Sequence, residues 1–237
     1  MKKLFQTVVL VAVLTFSGCC AFASGQQKSF VALDKATASN RFIVIGDKKG
    51  AMYQKIMGFF SGEPVKISIK RISHYANVGG MNIETNPTFT ISGVQSSSAI
   101  ALDVETEDII ANVGGMNVQV DVVYHVKGKI GGTNIGYDIR TKETISDLGG
   151  MKVVTDSWKE IVSGSKVVLT FKSVSETANV GGIEMVTNRY STVSGQDAAG
   201  KVAIRIDGFE TDSVNVSGSA SSMTVALVLG LRPFLVH

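Results

Sequence analysis

Residues 76–83 read ANVGGMNI, residues 111–118 read ANVGGMNV, residues 178–185 read ANVGGIEM, and 146–153 carry the looser copy SDLGGMKV. The paired glycines Gly79/Gly80, Gly114/Gly115, Gly149/Gly150 and Gly181/Gly182 are therefore 35, 35 and 32 residues apart. A fixed period of this length marks an internal repeat, and the repeat unit must be a supersecondary element that gains its core from its neighbours.

A second set of glycine signals lies between them, at Ile91-Ser92-Gly93, Val126-Lys127-Gly128, Val162-Ser163-Gly164 and Val193-Ser194-Gly195. Two alternating turn signals make each repeat a pair of strands, with the Gly-Gly turns at one end of an antiparallel meander. The intervening segments alternate as half-buried strands do: Val118, Val120, Val122, Tyr124 and Val126 interleave with Asn117, Gln119, Asp121, Val123, His125 and Lys127.

Register follows from which faces must match, because a slip of one residue turns every side chain over. A two-residue Gly114-Gly115 loop would set Asp103 and Glu105 beside Tyr124 and Val126. A three-residue loop, Val113-Gly114-Gly115, instead pairs Val104 with Tyr124 and Leu102 with Val126, and so predicts a turn ending in a glycine bulge. Turn chemistry accounts for the glycine pairs without a ligand, and it displays all four tips on one rim.

The expected fold is all-β: an antiparallel meander of about nine to eleven strands built from a hairpin of about 35 residues, closed as a barrel or folded as a sandwich. The expected strands include 201–216, broken near Asp207-Gly208, and a final one at 221–231. Three regions are expected: a signal peptide over 1–23, a segment over 24–62 with one strand at Phe42–Ile45 and a short helix at Ala51–Phe60, and the β domain over 63–237.

Lys2 and Lys3, the apolar run Leu4–Phe16 and Ala21-Phe22-Ala23 fit a secretory signal, so the chain is expected in the periplasm, at the cell surface or in an outer membrane. Cleavage after Ala23 would remove both cysteines, Cys19 and Cys20. The alternative takes Phe16-Ser17-Gly18-Cys19 as a lipoprotein signal, with Cys19 acylated.

A net charge of +3 without long basic runs gives no footprint for nucleic acid. Beyond the signal no apolar run reaches the length of a transmembrane helix. An outer-membrane barrel, as pore or anchor, is the main rival among membrane readings. Against it stand sparse aromatics and strand columns that turn polar midway, at Thr106 and Asp108, Thr141 and Glu143, and Ser157 and Lys159. The stretch Met223–Leu231, apolar on both faces, is its best support.

Catalytic motifs are missing: the histidines His74, His125 and His237 are dispersed, and there is no G-x-S-x-G elbow or phosphate loop. No cofactor is expected. One polar set stands out, because the three-residue register puts Asp121 opposite Glu107 and His125 opposite Asp103, with Glu105 between. Facing acids are either solvated or bridged by a cation, which makes Asp103, Glu105, Glu107 and Asp121 candidates for a weak divalent site. The functional expectation is a non-enzymatic structural, adhesive or binding module whose partner is a protein or surface ligand, with membrane association through a Cys19 lipid or a barrel.

Overall fold

The computed structural model describes residues 40–46 and 53–236. Twelve antiparallel strands form a closed barrel in sequence order: β1 (Arg41–Gly46), β2 (Tyr53–Phe60), β3 (Glu63–Val78), β4 (Met81–Gln95), β5 (Ser98–Val113), β6 (Met116–Ile130), β7 (Thr133–Leu148), β8 (Met151–Ser163), β9 (Lys166–Val180), β10 (Ile183–Asp197), β11 (Gly200–Asp207) and β12 (Ser213–Ser219). Pairing of β1 with β12, Phe42 against Val214, closes the wall. Of the two closures the sequence leaves open, the barrel is the one formed.

Alternate side chains of the wall's body point inward and most are apolar: Ile67 and Ile69 on β3, Leu102 and Val104 on β5, Val126 on β6, Ile204 and Ile206 on β11 are all buried. Alternate residues on the outer side are charged or polar, among them Lys66, Asp103, Glu105 and Lys127. The interior is filled by the chain's own end, helix α1 (Ser222–Gly230) followed by the short helix α2 (Arg232–Leu235). Phe234 of α2 packs edge-on against Phe89 at 4.8 Å between ring centroids and against Tyr124 at 5.0 Å.

Helix α1 occupies the stretch where a strand is expected at 221–231. Its turns are apolar on all sides, and Val225, Ala226, Leu227, Val228 and Leu229 are all buried. A short run apolar on both strand faces is also apolar all around a helix, and periodicity does not separate the two. The distinguishing signal is the start: Ser221 caps the helix, its Oγ accepting from the Thr224 N–H at 3.1 Å.

The N-terminal expectation is corrected in the same way. Residues 53–60, assigned to a helix in the sequence, are strand β2, with Ile56, Gly58 and Phe60 facing inward on alternate positions; 51 and 52 lie outside the described residues, as do 1–39 with the signal segment, Cys19 and Cys20. Strand β1 matches the expected strand at Phe42–Ile45, and β1 and β2 are staves of the same wall as the repeats.

The second glycine set is mostly not a set of turns. Gly93, Gly128 and Gly195 sit inside β4, β6 and β10, and the chain reverses three residues later in each case, at Ser96-Ser97, Gly131-Gly132 and Ala198-Ala199. Only Ser163-Gly164 coincides with a reversal. Gly128 has another reason to be glycine: at φ +148 a Cβ would lie 2.2 Å from the Ala101 carbonyl oxygen, so the neighbouring strand crosses where a side chain would be.

Candidate interaction rim

The four repeated hairpins leave the barrel wall as separate fingers. Between neighbouring hairpins the ladder stops at Phe89–Val104, Tyr124–Ile139, Lys159–Phe171 and Tyr190–Asp207, whereas within each hairpin pairing runs on to the tip. Each finger therefore stands about eight residues, or ~26 Å, beyond the last ladder it shares with its neighbour.

Each tip is a two-residue turn. Val78 pairs with Met81, Val113 with Met116, Leu148 with Met151 and Val180 with Ile183. Both central glycines are left-handed, at φ +61 and +87 for Gly79 and Gly80 and nearly the same in the other three, the geometry of the type I′ hairpin turn. The expected three-residue loop is thus overturned.

The parity it was invoked to explain is real but is set lower down. Val120, Thr155 and Thr187 are each an extra residue on the second strand, and the first finger has its irregularity at Ser73 opposite Asn86-Pro87. Past the bulge Val104 faces Val126, two residues from the expected partner but on the same face. The Thr155 and Thr187 hydroxyls donate to the carbonyls of Thr144 and Glu176, each at 3.1 Å, which ties the bulge to the opposite strand.

The polar half of the ANVGGMN motif is accounted for by the same turn. The Asn77 Oδ1 accepts from the Gly80 N–H at 3.1 Å, and Asn112, Asp147 and Asn179 do the same for Gly115, Gly150 and Gly182 at 3.0, 2.8 and 2.9 Å. Asn77 also donates across the strand to Asn82 at 3.3 Å, and Asn112 to Asn117 at 3.4 Å.

The apolar half is not accounted for by folding. On one face of each tip lie four residues: Ala76, Val78, Met81 and Ile83; Ala111, Val113, Met116 and Val118; Ser146, Leu148, Met151 and Val153; Ala178, Val180, Ile183 and Met185. The larger twelve are open to solvent, from 39% for Val153 to 69% for Met116 and Met151. Summed over the four fingers they present on the order of 1,000 Å² of apolar surface, roughly 250 Å² per tip, the same small patch repeated four times.

The side on which this face lies follows from the first strand of each finger, which has no bulge in three of the four. Along β5, Leu102 and Val104 point inward, so Glu105 and Glu107 point outward, and Ala111 and Val113 continue that outward parity. The polarity of the wall is thereby inverted at the turn itself: apolar inside and charged outside in the body, but Asn77, Asn112, Asp147 and Asn179 inside and the apolar pairs outside at the tips. One pair lower the inner faces carry the exposed Tyr75, Ile110, Ile145, Val154 and Val186.

Below the tips the candidate acids do not face each other, and Glu105 and Glu107 are paired with basic side chains. The ladder sets Lys127 opposite Asp103 and His125 opposite Glu105, and Asp121 faces Ile109 instead of Glu107. The His125 imidazole lies 2.7 Å from Glu107 and 2.8 Å from Asp138, whose other oxygen takes Arg140 at 2.7 Å; Lys127 reaches Glu105 at 3.8 Å. Hydrogen bonds to Glu107 and then Asp138 raise the His125 pKa above the ordinary histidine value. Asp121 accepts from the Val122 N–H at 2.7 Å. Among the described residues no group of three or more His, Cys, Asp or Glu could hold a metal ion.

Inside the foot of the fingers a cavity of about 310 Å³ opens over the end of the internal helices, lined by Ser157, Trp158, Lys159, Phe171, Ser173 and Leu235. Lys159 is 8% exposed and donates to the Thr141 hydroxyl at 2.7 Å; burial lowers its pKa, with Asp121 and Glu143 pulling the other way. Sequence reasoning placed Lys159 only as a polar break in an apolar column, and its inward position follows from the bulge.

No family model, curated protein or solved structure matches the chain. Among the described residues no helix is long and apolar enough to cross a membrane.

Proposed function

We propose that this is an exported, non-enzymatic docking module of the cell envelope or cell exterior, whose working surface is the rim of four hairpin tips. The observation that carries the reading is the set of twelve large apolar side chains held open to solvent, in the same two pairs of every finger. Packing explains a buried apolar residue; it does not explain these, and the same exposed apolar set repeated on four neighbouring fingers marks a contact surface. The turn polar groups are meanwhile satisfied within the tip, so the rim can be covered without stranding the Gly80-type donors.

The packed apolar interior supports a docking module over a pore, because a conducting barrel has a polar lumen and an apolar outer band, the reverse of this body. Fractionation tests the proposal. A chain with Met81→Ser, Met116→Ser, Met151→Ser and Ile183→Ser, compared in a Cys19→Ala background, is expected to move from the envelope fraction to the soluble one. An unchanged distribution for a folded variant would remove the rim from function.

A further inference from the structure

The direction and depth of the apolar faces allow the partner to be named by its chemistry. Resting on the docking reading, we infer that the rim seats on a lipid surface of zwitterionic headgroups, with the outward faces of the four tips immersed in the interface.

Three features of the fingers distinguish lipid from a second copy or another protein. First, the apolar faces share the outward parity of the barrel wall, so they look away from the axis in four directions. A partner docking flat on the tips would cover the Gly-Gly turns and leave much of those faces wet. A surrounding medium covers all of them.

Second, the apolar band is shallow. In three fingers it spans the turn and two residue pairs, roughly 10 Å along the strand, and is succeeded by polar groups such as His74, Thr144, Asp156 and Glu176; in the second finger Ile109 and the bulged Val120 extend it by one pair before Glu107. That depth matches the roughly 5–10 Å to which interfacial elements sink, and falls short of a spanning barrel's band of about 25 Å. Shallow seating also suits the unpaired finger edges. In hydrocarbon their free N–H and C=O groups would be costly, whereas at the headgroup level water entering between the fingers, beside the inward Asn77, Asn112, Asp147 and Asn179, reaches them.

Third, the fingers carry more acidic than basic residues, with Glu84, Asp108, Asp121 and Glu184 near the tips against Lys152. Attraction to anionic lipid therefore has no source here, and binding rests on apolar area repeated four times, which gives avidity from individually weak contacts.

The test is flotation of the full chain carrying Cys19→Ala, so that no acyl chain forms at that residue, with phosphatidylcholine vesicles. The chain is expected to float, to bind no more tightly when phosphatidylglycerol is added, and to keep its binding at high salt. The pair Val113→Ser and Met116→Ser in one finger removes two side chains more than half exposed, and is expected to lower the partition coefficient at least about tenfold while the melting temperature stays unchanged. Equal flotation of wild type and of a chain altered in all four fingers would overturn the inference, as would failure of the wild type to float. If the wild type instead forms a dimer that the same substitutions abolish, the lipid partner is wrong and the docking rim stands. If the substitutions change neither vesicle binding nor association, both fall.

Discussion

Phe234→Ala probes whether the chain's end fills the barrel. Phe234 is 2% exposed and its ring meets Phe89 at 4.8 Å and 87° and Tyr124 at 5.0 Å and 51°. Truncating a buried phenylalanine costs about 3–5 kcal/mol, part transfer free energy and part unfilled cavity. The upper part of that range is expected here, since the closed wall around α2 is hydrogen-bonded on both sides of each strand and has little freedom to collapse inward. For a domain of this size the loss corresponds to a fall of roughly 6–20 °C in melting temperature. Urea unfolding followed by tryptophan fluorescence is the assay, with Trp158, beside the cavity that Leu235 of α2 lines, as the reporter. The midpoint should drop at constant slope. The cycle with Phe89→Ala should then give a coupling of about 0.5–1.5 kcal/mol, the value of an edge-to-face aromatic pair beyond its area. A loss below ~1 kcal/mol together with zero coupling would place Phe234 outside the barrel and refute the plug.

Three further outcomes are expected. His125 should titrate above a free histidine in proton NMR, and Glu107→Gln should bring it down; because its folded pKa is raised, its contribution to stability is complete below ~6.5 and is lost as pH climbs through the folded value. A His125 titrating at or below the free value would contradict the bridge. Gly128→Ala should destabilise by more than the ~1 kcal/mol of an ordinary strand glycine change, because its Cβ meets the Ala101 carbonyl, while Gly136→Ala, where a Cβ meets open space, should be nearly silent; equal melting temperatures would disprove the close crossing. Lys159→Met should leave chemical stability equal or higher at neutral pH, since burial already disfavours the ammonium; with the lysine present, stability should gain as pH rises from the lowered folded pKa toward the ordinary lysine range. A large loss on substitution would point to an ion pair at Lys159.

The hairpin period was readable because glycine pairs are costly anywhere but in a left-handed turn, and four of them in step leave one arrangement. What the sequence hid is the separation of two jobs that one glycine loop was asked to do. The Gly79-Gly80 turn reverses the chain, while parity is corrected by residues such as Thr155 and Thr187, which resemble any other strand threonine. Gly93 and Gly128 were misplaced for a related reason: glycine is equally required where a strand bends under its neighbour and where it turns. The stretch 221–231 reads as a strand because the surroundings that decide it, a closed wall on every side, lie elsewhere in the chain. The apolar tips were legible as strand residues but not as exposed ones, since exposure depends on where the shared ladders stop.

The placement of the plug bears on the order of events during folding. The stave that seals the wall, β12, and the helices that fill it lie within residues 213–235, and the sealing partner is β1 at residues 41–46. A chain emerging from its amino end, as from a ribosome or an export channel, therefore holds eleven strands with an open seam and a hollow, greasy interior until its last segment arrives. Closure and filling are then a single late event between the first and last strands of the barrel, a contact of long sequence separation and so slow to form. Until it happens both the inner wall and the fingertips are uncovered, so the protein passes through a stage at which a holding chaperone would find its largest target.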